Sequence, residues 1–484
     1  MGSGCCGRLY EGRIHIESGG VLVRRKRGSK AVPSDPIVSS PLPNLTKDYL
    51  TIPNRFIPVQ RKQSLAGTTG LDNHGNTCFI NAALQCISNA VPLTDYFLTN
   101  VYLQEVNEKN PLGTCGEFAG AYAELLATQW RDVNESMLPK RLLNLIFTSA
   151  PQFANGGQHD AHEFLTFFLD KIHEDLNRGS FNARMCPTSD SKVEKEEKRA
   201  ARAWCAYLKR NSSVIVDLFQ GQLKSSIRCE ECKFVSTTFD TFMYLGLPLP
   251  KGDKTITLVD CFLEFTKDEA LDPNEWNCPN CKKSGKASKR IDIWKVPPIL
   301  IIHLKRFSYN TGANSKLVSA VKLTNKVEFP LSGLDISGYV SGQQKEPPVY
   351  DLFALTDHYG HIGGGHFTAS CKNRHSQLWY KYDDAVVQEE EEAGVSSEKA
   401  YMLFYCKVSI DEYRRQCSEL PNLWPHVISR KLSDLCEGVV HEQTGSTLSG
   451  FNEIDPKPKE SPNKAPKLQL HVIPSQCESP NPDS

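Results

Sequence analysis

Cys78 follows Gly75, Asn76 and Thr77 and opens the run CFINAALQCIS, so a thiol stands where a tight turn enters a helical pattern. A protonated thiol, with an ordinary pKa of about 8.5, is a weak nucleophile, and both a helix N-terminus and a nearby imidazolium lower that value. The turn would also aim backbone N–H groups, with the Asn73 carboxamide beside them, at a developing oxyanion. Alone, such a cysteine reads as a buried structural thiol. His366 changes that reading. It follows Gly363, Gly364 and Gly365 at the entry to a β-rich run, where glycines permit close backbone approach and leave the ring accessible. An imidazole base needs an orienting acceptor. Asp383 and Asp384 end the next strand-like segment, LWYKYDD, so a hairpin would carry a carboxylate to the ring. Thiol, imidazole and carboxylate together are the residue set of nucleophilic acyl transfer.

Two further cysteine pairs stand apart, Cys229-Glu-Glu-Cys232 and Cys278-Pro-Asn-Cys281, each with two intervening residues. Four thiolates from two such knuckles make a tetrahedral zinc site with no open position, hence a structural Zn2+. Redox-active dithiols are the weaker reading.

Helices must position the thiol and strands the imidazole. Phe79, Ala83, Cys86 and Ile87 share one face of an amphipathic helix opening at Cys78. A second helix runs from Asp160 through AHEFLTFFLDKIHEDL, with Asp160 as cap or first-turn acid and Phe164, Phe167, Phe168 and Ile172 as its buried stripe. Residues 191–211 are charged helix formers, an exposed helix anchored by Trp204. From Val214 onward short Ile, Val, Phe and Thr runs broken by Gly and Pro read as strands. Helices first and strands second make an α+β protein.

The chain has 484 residues, 39% hydrophobic and 23% charged, enough to bury a large core. Its 56 basic and 56 acidic residues cancel, so net charge gives no general pull toward nucleic acid or an acidic membrane. The N-terminus lacks the apolar core of a signal peptide, and the apolar stretch Pro298 to Leu304 is too short to span a bilayer, so a soluble protein is expected. Seventeen cysteines without an export signal fit a reducing compartment. Residues 1–65 read as a flexible leader and residues 409–484 as a disordered tail. No period of 20 to 50 residues repeats, which argues against a solenoid or propeller.

Several segments in order resemble the ubiquitin-specific protease family. GLDNHGNTCFINAALQC, Gly70 to Cys86, is similar to its cysteine box; GGQHDAHEFL, Gly156 to Leu165, to the box that follows; YDLFALTDHYGHIGGGHFTAS and WYKYDDAVV to its histidine box. The resemblance spans residues 66–408. It implies a papain-like thumb, palm and fingers domain, with a zinc-ribbon-like fingers subdomain at about residues 215–290. Residue by residue, it implies Cys78 as nucleophile, His366 as general base, Asp383 as third triad member and Asn73 as oxyanion donor, with Asp384 a second candidate for polarising the base. It implies Gln158 and Asp160 as substrate contacts and Cys229, Cys232, Cys278 and Cys281 as zinc ligands. Departures from the family pattern are His159 in place of a second Gln and Asp357 in place of Asn.

The implied reaction cleaves the bond after the C-terminal Gly of ubiquitin, with ubiquitin and ubiquitinated proteins as partners in the cytoplasm and the nucleus. A catalytically impaired ubiquitin-binding scaffold of the same fold is the alternative. A zinc-ribbon nucleic-acid binder ranks last, because it leaves Cys78 and His366 unexplained. No nucleic-acid partner is expected. Membrane contact would come only through Gly2, Cys5 and Cys6, an imperfect double-acylation signal read as incidental, and Arg24 to Arg27 read as solvated charge.

Overall fold

A helix buried on every side lies at the centre of the fold. The structure, a computed structural model, describes residues 66–131, 135–180, 194–252, 255–273, 275–311, 318–344, 346–361 and 364–407. The acylation signal, the basic cluster, the leader and the tail read from the sequence lie outside these residues. Helix α1 (Cys78–Ser88) packs between α5 (Ala161–Asp175) and the strand that carries His366. All eleven of its residues are buried, so the amphipathic face expected from the sequence is replaced by burial all round. The polar residues Asn81 and Gln85 are buried with hydrogen-bond partners, which keeps a fully enclosed helix tolerable.

Around α1 stand α2 (Val91–Leu98), α3 (Glu117–Gln129) and α4 (Lys140–Ser149). Edge-on aromatic contacts tie them together: Tyr122 lies 5.0 Å from both Phe97 and Phe168, and Phe79 lies 5.8 Å from Phe164. Each fully buried ring contributes on the order of 2–3 kcal/mol of transfer free energy, so Phe164→Ala would cost roughly 3–5 kcal/mol. The stripe of α5 consists of Phe164, Leu165, Phe168, Leu169 and Ile172, with Phe167 only half-buried. Helix α6 (Glu196–Leu208) is not the exposed helix expected: only Glu197 and Lys198 are exposed, Ala200, Trp204 and Leu208 are buried and the rest are half-buried, and the Lys295 ammonium covers the Trp204 ring at 3.9 Å. The strand pattern expected from Val214 instead begins as helix α7 (Val214–Phe219), because Ser213 caps it by accepting from the Val216 N–H.

Strands then dominate. In chain order they are β1 (Gly221–Cys229), β2 (Val235–Phe242), β3 (Leu245–Pro248), β4 (Ile256–Thr257), helix α8 (Leu258–Phe265), β5 (Glu269–Leu271), β6 (Ala287–Lys295) and β7 (Ile299–Lys305). After these come β8 (Phe307–Thr311), β9 (Val318–Lys322), β10 (Val327–Glu328), β11 (Leu334–Asp335), β12 (Val349–His361) and β13 (Gly364–Lys372). The last are β14 (Trp379–Asp383), β15 (Val386–Glu390), helix α9 (Glu392–Val395) and β16 (Ala400–Cys406).

The large sheet has the order β15-β14-β13-β12-β16-β7-β3, antiparallel except where β3 joins β7. Alternation divides its side chains between two cores: Ile299 and Ile301 of β7 face the helices, while Leu300, Ile302 and Leu304 face a second cluster with Leu355, Leu403 and Phe262. A separate four-stranded sheet, β2-β1-β6-β5, carries the four paired cysteines at its end. Helical thumb, large-sheet palm and projecting fingers make the α+β, papain-like architecture that the resemblance implied. Among the described residues no helix is long and apolar enough to cross a membrane.

Candidate active site

The turn before α1 is built from left-handed residues. Gly75 and Asn76 have φ of +75° and +58°, conformations glycine adopts freely and asparagine tolerates better than most residues. The turn is closed by the Thr77 hydroxyl, which accepts from the His74 N–H at 2.8 Å, and by the Asn73 Oδ1, which accepts from the Thr77 N–H at 3.1 Å. Cys78 thereby begins α1, and the residue is 3% exposed.

The thiol rests against the strand of the candidate base. Burial pushes the Cys78 pKa above the ordinary thiol value, opposed by the Phe367 N–H and then raised further by the Asp384 carboxylate. The N–H groups of Cys78 and Phe79 at the helix start do lower the pKa, as the sequence suggested, but desolvation outweighs them. Such a thiol is protonated in the resting protein and needs a base to become a nucleophile.

His366 supplies an imidazole one residue from Phe367. Strand β14 lies beside β13, with Ala369 opposite Tyr382, and this hairpin sets the Asp383 Oδ1 2.6 Å from His366 Nε2. The Nδ1 side of the ring is left to face another group.

Asp384 has partners of its own. With φ +50° it enters the β14–β15 turn, and its carboxylate accepts from Asn73 Nδ2 and from Asn81 Nδ2, each at 2.8 Å. Gly70 makes this possible: a Cβ there would stand 2.3 Å from the Ala385 carbonyl oxygen, so only glycine lets the turn dock on the segment leading to Cys78. Asp384 thus holds Asn73, the expected oxyanion donor, while one of its carboxylate oxygens also lies within 4.8 Å of a His366 ring nitrogen and of an Asp383 oxygen. One Asn73 amide hydrogen goes to Asp384, leaving the second for an incoming oxygen. Asn81 was not anticipated; its signal was a polar residue inside an otherwise apolar helical run.

A cleft of about 600 Å3 runs past Cys78 between α5 and the large sheet, lined by Gln158, Asp160, Phe307, His361 and Gly364 among others. Gln158 reaches across it, its Oε1 accepting from the Gly365 N–H. Asp160 caps α5 by accepting from the His162 N–H at 2.7 Å, and its other oxygen accepts from the Tyr401 hydroxyl. His159 stands edge-on to Phe79 at 5.4 Å and meets the Asn155 Oδ1 at 2.9 Å. A larger hollow of about 720 Å3, near Asn107, Glu174 and Arg210, contains none of these groups.

The four fingers cysteines converge, with all Sγ atoms within 4.8 Å of one another. Cys229 Sγ lies 4.0 Å from Cys281 Sγ, and Cys232 Sγ 3.5 Å from Cys278 Sγ. A zinc ion with bonds of about 2.3 Å to four thiolates separates them by roughly 3.8 Å, so this donor set fits the metal. The described cysteines are free thiols.

Comparison with known proteins identifies the family. The sequence profile of the ubiquitin carboxyl-terminal hydrolase family matches residues 69–405. Ubiquitin carboxyl-terminal hydrolase 2 of Homo sapiens is 37% identical over 346 residues, covering 71% of this chain and 56% of that protein. The Gallus gallus protein of the same name is 40% identical over 356 residues, covering 72% of this chain and 97% of that one. The chain spans about half the length of the first curated relatives it matches, 55% for the one from Rattus norvegicus. Among solved structures, a Ubp8/Sgf11/Sus1/Sgf73 SAGA DUB module bound to monoubiquitin is similar, with a TM-score of 0.57 and 26% identity over 73% of this chain and 71% of that one. The same kind of module bound to ubiquitin aldehyde gives a TM-score of 0.56 and 26% identity over 72% and 70% of the two chains. Fold, site and sequence agree: this chain belongs to the ubiquitin carboxyl-terminal hydrolase family.

Proposed function

We propose that the chain is a deubiquitinating thiol hydrolase that cleaves the isopeptide or peptide bond after the C-terminal Gly of ubiquitin, with Cys78, His366 and Asp383 as its working groups. The carrying observation is the 2.6 Å contact between His366 Nε2 and Asp383 Oδ1, one residue from the Phe367 N–H that touches the Cys78 thiol. A scaffold that only binds ubiquitin has no need of that pairing. The family profile and the ubiquitin held by the similar SAGA modules support ubiquitin as partner.

His366 takes the proton of the Cys78 thiol as sulfur attacks the carbonyl carbon of the ubiquitin C-terminal Gly. Asp383 keeps the imidazole in one tautomer and balances the imidazolium that forms. The carbonyl oxygen becomes an oxyanion and accepts from the free Asn73 amide hydrogen, whose direction Asp384 fixes. The C–N bond then breaks, and the imidazolium protonates the departing lysine amine. Water, deprotonated by the same imidazole, attacks the thioester and releases ubiquitin and the thiol.

Gln158 and Asp160 line the route of the ubiquitin tail, where a di-glycine end passes a channel that larger residues cannot. Cys229, Cys232, Cys278 and Cys281 would hold a zinc ion, which supplies a cross-link between the two knuckles of the fingers. The reading places the protein in the cytoplasm and nucleus, to be checked by imaging a tagged full chain. The reaction is tested with a fluorogenic ubiquitin C-terminal amide: turnover by the wild type and none by Cys78→Ala supports it, and equal rates overturn it.

A further inference from the structure

Tyr359 on β12 stands directly opposite His366 on β13 in the antiparallel register. Residues so paired project to the same face of the sheet, with Cβ atoms about 5 Å apart. The phenol is held from a third strand, because the Lys381 ammonium on β14 donates to the Tyr359 hydroxyl at 2.9 Å. That hydroxyl donates to Asp357 Oδ2 at 3.4 Å, and the same oxygen lies 3.9 Å from Lys381 Nζ. The Asp357 side chain is only 3% exposed, so its charge has little access to water, and Lys381, together with Arg306 and a hydrogen bond from Ser397, offsets it.

The backbone on either side of Tyr359 is pinned too. Lys322 Nζ donates to the carbonyls of His358 at 2.8 Å and Gly360 at 3.0 Å. The Lys399 ammonium covers the ring at 4.3 Å from its centroid. By contrast, the next residue pair along the strands is Gly360 opposite Gly365, which brings no side chain to restrict the imidazole. Lys381 and Asp383, two residues apart on β14, project to one face by strand alternation. His366 therefore has a bonded acceptor in Asp383 and a fixed cross-strand neighbour in Tyr359, and both are organised by the same strand.

We infer that Tyr359, braced by Lys381 and Asp357, is a positioning residue that holds the His366 imidazole in line with Asp383; the inference rests on the thiol hydrolase reading. It touches neither substrate nor thiol in this account, so its loss should act on the rate of chemistry and leave ubiquitin binding alone.

The test measures kcat and KM on a fluorogenic ubiquitin C-terminal amide, together with ubiquitin affinity in a Cys78→Ala background. Tyr359→Ala should lower kcat by about tenfold or more with KM and affinity within about twofold of the wild type. Tyr359→Phe and Lys381→Met keep the bulk of both side chains; both remove the Lys381–Tyr359 link, and Lys381→Met also removes the Asp357 ion pair. Tyr359→Phe should lower kcat by roughly threefold and Lys381→Met by at least as much, and the double variant should be no worse than Lys381→Met alone. Rates within twofold of the wild type, losses confined to KM and affinity, or additive losses in the double variant would overturn the inference while leaving the hydrolase reading intact. A wild type without turnover would overturn both.

Discussion

Asp383 and Asp384 are consecutive in the chain, yet their carboxylates serve different halves of the site. Asp383 meets the His366 imidazole, and Asp384 bridges Asn73 and Asn81 across the start of α1. Asp384 leaves the strand in a left-handed conformation, and one oxygen of each carboxylate still lies within 4.8 Å of the other and of a His366 ring nitrogen. One turn thus joins the base, the oxyanion donor and the helix that carries the thiol.

This division of labour predicts distinct coupling. Asn73→Ala should lower kcat by roughly 10^2-fold, the usual scale for one oxyanion donor. Asp384→Ala should give a similar loss, and the double variant should add little, since Asp384 acts through Asn73. Additive losses in steady-state kinetics would separate the two residues and contradict the assignment.

Acid should weaken the fold through buried histidines behind the cleft. His303 stacks on His162 with ring centroids 4.2 Å apart, and His358 lies near Tyr401 in the same layer. Burial pushes His303 down to about 3, with His162 and Lys305 adding to it, and burial with Lys322 pushes His358 to about 4. Their folded values lie below the unfolded value of about 6.5. The unfolded chain therefore binds more protons below that pH, and stability present above it is lost as pH falls toward 4. The slope is about 1.4 kcal/mol per pH unit for each histidine. Thermal unfolding across pH 7.5 to 5 should show Tm falling below about pH 6.5, and His303→Gln should flatten that fall. An unchanged slope in the variant would count against the histidine layer.

The cysteine knuckles should carry one zinc ion per chain. Its removal by chelation, or by Cys278→Ser, should lower Tm and ubiquitin turnover together, because the four thiols join the two cysteine turns at the end of the sheet that β1, β2 and β6 form. Verified metal loss with unchanged Tm and unchanged turnover would remove the structural role.

Features written in local sequence were the ones legible before the fold. The turn and helix at Cys78, the Asp160 cap, the β13–β14 hairpin and the paired cysteines each depend on residues a few positions apart. What was not legible depends on distant packing. Asn81 meets Asp384 across 303 residues, and no spacing in the sequence announces it. The resting state of the Cys78 thiol was misjudged because the helix terminus is a local feature, whereas burial is set by β13. Helix α1 shows the same limit. Its apolar periodicity was read as one face, but α5 and the large sheet enclose the other side as well. At Val214 a local signal was present and overlooked, since Ser213 in front of an apolar run is a cap signature.

The central claim is that the Cys78 sulfur attacks the end of ubiquitin under the control of His366. Its most direct measurement is covalent capture with ubiquitin carrying a C-terminal alkyne electrophile, read by intact mass and by mapping of the modified peptide. The account predicts one ubiquitin added per chain, joined to Cys78, slowed strongly by His366→Ala and abolished by Cys78→Ala. An adduct at another cysteine, or a rate indifferent to His366, would contradict it.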